Sequence, residues 1–355
     1  MRLLQIENLS VEFQTHKGPV KVLDKVSLRM NRGEVLGIVG ESGSGKSMLA
    51  LAIMGLLSPN ARFTADYLGL NGQDLMKMPK DERHAFVAQN ASIIFQDPEN
   101  SLNPCFTIGD QLIETIRLHG IGRRKKQIQR AIELLDSVGI VEPELRLRQY
   151  AHELSGGMNQ RIMIAMAIAA EPQLLIADEP TTALDVTIQA QILELLLELN
   201  KTREMGLMLI THDFALLSEN TQRVCVMYSG QIMENAPTEK ILAHPKHPYS
   251  RALLDSIPHI GERHRMGERL FSLKGSIPPM DRLPVGCRLG PRCPRAAKDC
   301  VKTPRLEPMK NHGLVRCHFP LPAVIGTSDF IHKSTNDKSP QSTNQTENKK
   351  EPTDE

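Results

Sequence analysis

Residues 35–47 read VLGIVGESGSGKS, a short apolar run followed by a glycine-rich loop. The apolar run predicts a strand that is buried on both faces. The loop fits the G-x-x-x-x-G-K-S phosphate-binding pattern, and residues 48–57 after it predict a helix. A chance glycine-rich turn is the alternative, but it would not need both the strand and the helix.

The loop is predicted to bind a nucleoside triphosphate, because its glycines let backbone N–H groups and the helix N-terminus point at phosphates. Lys46 would contact the outer phosphates, and the Ser47 hydroxyl would be a ligand of magnesium. The predicted nucleotide-binding residues of the loop are Gly40, Glu41, Ser42, Gly43, Ser44, Gly45, Lys46 and Ser47.

Residues 174–177 form a second short apolar run, which ends in Asp178 and Glu179. At the end of a buried strand, Asp178 would hold magnesium through water, and Glu179 would orient and polarise the attacking water. An ordinary turn at the end of a strand would explain the same residues. The phosphate-binding loop favours the catalytic interpretation.

His212 and Gln96 complete the predicted catalytic group. His212 follows an apolar run at residues 207–210, which would bring the imidazole to the sheet edge of Glu179, within reach of the terminal phosphate. Gln96 lies where a strand gives way to helical patterns, so it could contact the phosphate or the metal. A lone histidine is more often structural, so this assignment depends on the rest of the site.

The chain of 355 residues is longer than a usual single domain. Strands alternate with helical patterns up to about residue 245, which predicts an α/β domain with a parallel sheet. Residues 98–165 predict a helical subdomain, in which the basic stretch 123–126 is interpreted as a solvated turn. Residues 246–325 form a proline-rich extension, and residues 326–355 predict a disordered tail.

Charge and hydropathy exclude several classes of protein. The formal net charge of +2 gives no electrostatic footprint for nucleic acid. The first residues mix charged and apolar side chains, unlike a secretory signal, so we expect the chain in the cytosol. No apolar run reaches the roughly 18 residues needed to span a bilayer.

Residues 154–161 read LSGGMNQR and precede a helical pattern. They resemble the signature motif of ABC-type ATPases. The resemblance implies a mainly parallel core sheet, an antiparallel β subdomain and a helical subdomain. It also implies a head-to-tail dimer in which Ser155, Gly156 and Gly157 clamp ATP held by a partner's loop. In that dimer Ala183, Leu184 and Asp185 cross the interface, and Phe13 stacks on adenine. Met158 stands where many members have Gln, and Phe13 where many have Tyr.

Residues 247–254, HPYSRALL, and 286–294, GCRLGPRCP, resemble the ATPase subunits of the oligopeptide and dipeptide importers. The resemblance implies hydrolysis of ATP to ADP and phosphate at the cytoplasmic face of the inner membrane. It implies a second and related ABC ATPase, two transmembrane permeases and a periplasmic or extracellular peptide-binding protein as partners. Dipeptides, oligopeptides and antimicrobial peptides remain open as substrates.

Two other classes share part of this pattern. An ABC ATPase of DNA repair or translation would have the same loop and signature, but such proteins usually carry two ATPase domains or a long coiled coil. A P-loop kinase or GTPase would not need residues 154–157. Both alternatives are therefore weaker than the transport ATPase.

Four cysteines lie near the end of the chain: Cys287, Cys293, Cys300 and Cys317. Their gaps of five, six and sixteen residues differ from the paired spacing of common zinc sites. Cys293 followed by proline is typical of iron–sulfur ligation, and the importer resemblance implies a 4Fe–4S cluster. Zinc, with or without His312 or His318, and unligated thiols remain alternatives. Cys105 and Cys225 are predicted to be small buried hydrophobic residues.

Overall fold

The computed structural model describes residues 2–16, 18–97, 101–120, 122–181, 185–257 and 273–322. The chain begins with an antiparallel sheet built on two long strands, β1 (Arg2–Thr15) and β2 (Gly18–Asn31). Buried apolar residues alternate with polar ones along β1, as expected for a strand with one face on a core. The shorter strands of this sheet are β4 (Ala61–Thr64), β5 (Tyr67–Leu70) and β6 (Gln73–Asp74).

The second sheet has a parallel centre. Its strands are β3 (Val35–Val39), β7 (Ala91–Ile94), β8 (Leu174–Asp178), β9 (Gly206–Thr211), β10 (Arg223–Tyr228), β11 (Gln231–Pro237), β12 (Glu307–Pro308) and β13 (Leu314–Val315). Within the described residues the strand order is β12-β13-β11-β10-β3-β9-β8-β7, parallel from β10 to β7 and antiparallel elsewhere. The predicted mixed α/β architecture, with parallel and antiparallel sheets, is confirmed.

The three predicted central strands are buried at every residue, because the sheet has a core on each face. Leu36 and Ile38 of β3 face one hydrophobic cluster, whereas Val35 and Val39 face the other. Successive side chains of a strand point to opposite faces, so a continuous apolar run is what two cores require.

Helices cover the second sheet and form a separate group between β7 and β8. They are α1 (Lys46–Met54), α2 (Lys80–Asn90), α3 (Ile108–Leu118), α4 (Arg124–Ser137), α5 (Pro143–Arg146), α6 (Gly156–Ile168), α7 (Val186–Arg203), α8 (Phe214–Ser218), α9 (Thr238–Ala243) and α10 (Pro248–Asp255). Helix α1 ends at Met54, earlier than residue 57, because Gly55 adopts a left-handed C-cap. None of the described helices combines the length and apolar character that a membrane crossing needs.

The interpretation of residues 123–126 as a turn is wrong. Arg124 is the first residue of α4, so three of the four basic residues occupy its first turn, and all four are exposed. Gln127, Ala131 and Leu134 are buried at helical spacing, so the amphipathic stripe continues the helix from this basic start. Burial of that stripe in the helical group outweighs the unfavourable placement of cations at a helix N-terminus.

The described part of the segment after α10, residues 256–257 and 273–322, has little regular structure of its own. It contributes two-residue strands β12 and β13 and short 3-10 turns at Gly290–Arg292 and Lys298–Val301. Strand β13 pairs with β11, so this segment extends the second sheet. Residues 1–321 form one compact unit. The predicted tail, residues 326–355, lies outside the described residues.

Candidate active site

The phosphate-binding loop connects β3 to α1. Gly43 and Gly45 have φ angles of 79° and 99°, in the left-handed region that favours glycine, and Gly45 is the N-cap of α1. A side chain at Gly40 would place its Cβ 2.2 Å from the Met227 carbonyl oxygen. The loop therefore lies directly against the β10–β11 turn, where the Gly230 N–H donates to the Ser44 carbonyl at 2.7 Å.

Lys46 is the first residue of α1, and only 5% of its surface is exposed. Its Nζ donates to the carbonyl oxygens of Gly40 at 2.8 Å and Glu41 at 3.2 Å. Burial lowers the Lys46 pKa, while the carboxylates of Glu179, Asp178 and Glu41 act in the opposite direction. The ammonium group is thus held beside the loop in an acidic environment, where it can bind the outer phosphates.

Asp178 ends β8 beside the start of α1. Burial raises the pKa of Asp178, although the nearby Ser47 hydroxyl and the charge of Lys46 act in the opposite direction. Among the described residues, its Oδ1 atom is buried and has no hydrogen-bond partner. An orphaned buried carboxylate oxygen next to a hydroxyl is an oxygen donor set that suits Mg²⁺. The residues therefore fit the predicted magnesium site.

Gln96, Glu179 and His212 meet at the carboxyl ends of β7, β8 and β9. Gln96 Nε2 donates to Glu179 Oε2 at 2.9 Å, and His212 Nδ1 lies 3.2 Å from Glu179 Oε1. The three strands are neighbours in the sheet, which explains why residues far apart in sequence converge. The structure thus brings the predicted catalytic group together, while the roles of its members stay predictions.

Glu179 has a left-handed backbone, with φ of 48°, and its N–H donates to the Ile210 carbonyl at 2.8 Å. A non-glycine residue in this region is held there by its surroundings, and such residues cluster at functional sites. The side chain is 11% exposed, so it is accessible to water.

The signature segment forms the N-terminus of α6. Ser155 is the N-cap residue, and its hydroxyl accepts from the Met158 N–H at 3.4 Å. Ser155 is exposed, with Gly156 and Gly157 in the first turn of the helix behind it. This turn is therefore accessible to a second molecule, as a clamp on a partner's nucleotide requires.

Two more predicted nucleotide contacts lie on separate elements. Asp185 is the N-cap of α7, and its carboxylate accepts from the Ile188 N–H at 3.0 Å. Ala183 and Leu184, which the resemblance also places at the interface, lie outside the described residues. Phe13 is near the end of β1, paired with Val20 and Ala61, and is partly buried. Its adenine contact stays a prediction.

The four C-terminal cysteines line one cavity, together with His318. All four are partly buried thiols, and burial raises the pKa of Cys317 to about 11. The space between them is about 10 Å³, roughly that of one water molecule. Within the described part of the chain, no three His, Cys, Asp or Glu side chains converge as a metal site would require.

Of the two predictions about the remaining cysteines, one is confirmed and the other is wrong. Cys225 is buried, as predicted, and burial raises its pKa to about 12. Cys105 is exposed, so its predicted burial is wrong, because it lies in a surface turn before α3. His312 Nε2 lies 2.5 Å from a carboxylate oxygen of the buried Glu234. This contact occupies the Nε2 atom, which therefore does not face a metal site.

Comparisons with known proteins identify the family. The chain matches the family described as "ABC transporter" over residues 23–182 and "Oligopeptide/dipeptide transporter, C-terminal region" over residues 233–300. The second match begins earlier than residue 246 and includes residues 233–237 of β11.

Two similar proteins are matched over nearly their whole length. The dipeptide transport ATP-binding protein DppD of Escherichia coli K12 is 50% identical over 322 residues, which cover 90% of this chain and 98% of that protein. The peptide transport system ATP-binding protein SapD of Salmonella typhimurium LT2 is 45% identical, over 90% of this chain and 98% of that protein.

Solved structures agree on the fold. The ABC transporter component cbiO1 of Clostridium perfringens superposes with a TM-score of 0.57 at 25% identity, covering 68% of this chain and 91% of that one. The ATP-binding cassette MJ0796, bound to ADP and phosphate as a dimer, gives 0.59 at 24% identity over 66% of this chain and 99% of that one. The chain therefore belongs to the family of ABC transporter ATP-binding subunits, in the group with the oligopeptide/dipeptide transporter C-terminal region.

Proposed function

We propose that this chain hydrolyses ATP to drive uptake of peptides across the cytoplasmic membrane. The observation that carries the proposal is the convergence of Lys46, Asp178 and Glu179 at one sheet edge, in a chain that also has the peptide-transporter C-terminal region. Similar proteins named for dipeptide and peptide transport support the substrate class. Dipeptides, oligopeptides and antimicrobial peptides all belong to that class.

In this mechanism Glu179 polarises the water that attacks the terminal phosphate. Gln96 and His212 each engage one carboxylate oxygen, which fixes the orientation of the base. Both side chains lie at the same edge, so either can also contact the phosphate, with His212 donating a hydrogen bond. Lys46 releases its carbonyl partners and binds the outer phosphates, where its charge stabilises the transition state.

Ser47 and Asp178, with Gln96 nearby, would hold Mg²⁺. The ion supplies positive charge that neutralises the phosphate oxygens as the bond breaks. The buried Asp178 Oδ1, which lacks a partner among the described residues, supports this assignment.

The complete site is proposed to form between two ATPase subunits. Ser155, Gly156 and Gly157 of one subunit would cap the phosphates of ATP held by the loop of the other, because exposed N–H groups at a helix N-terminus attract anions. Asp185 would lie at the same interface. The partner is proposed to be a second and related ATPase, so that each subunit supplies half of each site.

The remaining partners follow from the same proposal. Two transmembrane permeases would form the pathway, and a periplasmic or extracellular peptide-binding protein would deliver the substrate. The chain would then work at the cytoplasmic face of the inner membrane. Co-purification of a tagged chain from detergent extracts tests this: permeases should be recovered, whereas recovery of DNA or ribosomes without permeases would overturn it.

We also propose that the four cysteines hold a 4Fe–4S cluster. The cavity that the four cysteines share supports the proposal. Iron and sulfide analysis of anaerobically purified protein tests it. About four irons and four sulfides per chain are expected, and stoichiometric zinc without iron would exclude the cluster.

A further inference from the structure

Glu41 of the phosphate-binding loop is held at each of its polar groups. Its N–H donates to the Tyr249 hydroxyl at 2.9 Å. Its carbonyl oxygen accepts from Lys46 Nζ at 3.2 Å and from the Ser44 N–H at 3.1 Å. Its carboxylate receives Arg292 Nη1, at 3.0 Å and 3.2 Å from the two oxygens. Two of these partners, Tyr249 and Arg292, come from the C-terminal part of the chain.

Arg292 is itself fixed in place. Its side chain is only 8% exposed and lies over the Tyr228 ring, with the guanidinium carbon 5.8 Å from the ring centre. The same guanidinium donates to the Tyr228 hydroxyl at 3.3 Å and to the Lys274 carbonyl at 3.3 Å. A guanidinium that is stacked and hydrogen-bonded in this way has few other rotamers available, so Glu41 meets a rigid partner.

Arg288, four residues earlier in the chain, contacts the β10–β11 turn on which the loop rests. It donates to the Ser229 carbonyl and pairs with Asp24 at 2.7 Å, and its side chain is 8% exposed. The neighbouring Gly230 N–H donates to the Ser44 carbonyl of the loop at 2.7 Å. Residues 286–293 therefore contact the loop and its supporting turn at two places, through one arginine each.

We infer that residues 286–293, together with Tyr249, brace the phosphate-binding loop and so set the affinity of the site for ATP. Arg292 and Tyr249 are positioning residues: they fix Glu41, and the Glu41 carbonyl orients Lys46. The inference rests on the nucleotide site of the ABC family, and it depends neither on the transported substrate nor on an occupant of the cysteine cavity.

The contacts of Arg292 and Tyr249 with Glu41, here called the brace, should affect nucleotide binding more than the hydrolysis step. A loop that is ordered before ATP arrives loses less conformational entropy on binding. Removing the brace should therefore weaken nucleotide affinity. Gln96 and His212 hold Glu179 through contacts that do not involve Glu41, so turnover at saturating ATP should change little.

The test compares Arg292→Gln with Tyr249→Phe in the full chain, by titration with a fluorescent ATP analogue and by amide exchange of residues 40–47. Each variant should raise Kd and KM about three- to tenfold, the effect expected of a coupled contact. Amide exchange in the nucleotide-free loop should become faster. Arg282→Gln, at an exposed arginine of the same C-terminal segment, is the matched control and should leave all values unchanged.

A double-mutant cycle tests whether Arg292 acts on nucleotide affinity through Glu41. In a Glu41→Gln background, Arg292→Gln should add little further loss of affinity, since both changes break the same pair. If Arg292→Gln does not fold, Arg292→Lys and Tyr249→Phe replace it, with circular dichroism to confirm folding. Wild-type Kd and loop exchange in folded Arg292 and Tyr249 variants would overturn the inference. Normal ATP binding with no permease partner would instead overturn only the proposed function.

Discussion

Replacing Glu179 with glutamine separates catalysis from folding. The amide has nearly the same shape, so its oxygen can accept from Gln96 and its NH₂ can donate to His212 in the tautomer with an unprotonated Nδ1. Both contacts survive, and the free energy of unfolding should fall by about 1 kcal/mol or less. Loss of the base should lower kcat about 10²- to 10⁴-fold, equivalent to raising the barrier by about 3–5 kcal/mol.

The assay measures phosphate release and nucleotide affinity in the same preparation. Glu179→Gln should bind ATP like wild type, accumulate the ATP-bound dimer and hydrolyse ATP slowly. Glu171→Gln is a matched control, because Glu171 is also a glutamate with left-handed φ, of 51°, but pairs with Arg130 on the surface. It should keep normal turnover. A loss of less than tenfold in Glu179→Gln, with intact nucleotide binding, would remove Glu179 from the role of base.

Three further predictions address the metal, the loop and the pH dependence of stability. Asp178→Asn should weaken Mg·ATP binding about tenfold or more but leave ATP affinity in EDTA unchanged; equal losses in both titrations would argue against a magnesium ligand. Gly40→Ala should cost about 1–3 kcal/mol in the free energy of unfolding, because its Cβ would lie 2.2 Å from the Met227 carbonyl; a normal melting temperature would contradict this. Burial would raise the Glu234 pKa, but hydrogen bonds from His312 and from the backbone N–H groups of Lys246 and His247 outweigh it and lower the pKa below 4.5. Glu234→Gln should therefore lower the free energy of unfolding by about 3 kcal/mol at pH 7. In urea titrations this difference from wild type should shrink as the pH falls through the folded pKa, because wild type then loses its ionised carboxylate. A difference that stays constant with pH would refute the prediction.

The sequence predicts the central strands, and the sheet edge at which polar residues follow them, for one physical reason. Strands with a core on both faces must be apolar throughout, so residues 35–39 and 174–177 stand out as short runs with defined ends. Polar residues that follow such runs meet at one edge of a parallel sheet. The sequence therefore places His212 at the same edge as Glu179, whereas the hydrogen bond between Gln96 and Glu179 emerges only from the structure.

The contacts that the C-terminal segment makes with the phosphate-binding loop and its neighbouring turn could not be predicted in this way. Arg292 and Glu41 are 251 residues apart, and Arg288 and Asp24 are 264 apart. Pairing at such separations depends on how the C-terminal segment joins β11, and two-residue strands leave almost no periodic pattern to detect. The motifs at residues 247–254 and 286–294 did contain Tyr249 and Arg292, although only as marks of a family resemblance.

The error at residues 123–126 has a different origin. A basic run is solvated whether it forms a turn or the first turn of a helix, so charge alone does not distinguish the two. The deciding signal was the buried spacing of Gln127, Ala131 and Leu134. That spacing is visible in the sequence once the window extends past the charges.

The central claim is that each ATP is bound between two subunits, by the loop of one and the signature turn of the other. Photolabelling of the purified transporter with a reactive ATP analogue, followed by separation of its chains, tests it directly. Lys46→Ala should abolish labelling of this chain's own loop, whereas Ser155→Arg should spare that loop and abolish stable labelling of the partner ATPase. If Ser155→Arg instead abolishes labelling of this chain while the partner is labelled normally, the shared site is contradicted.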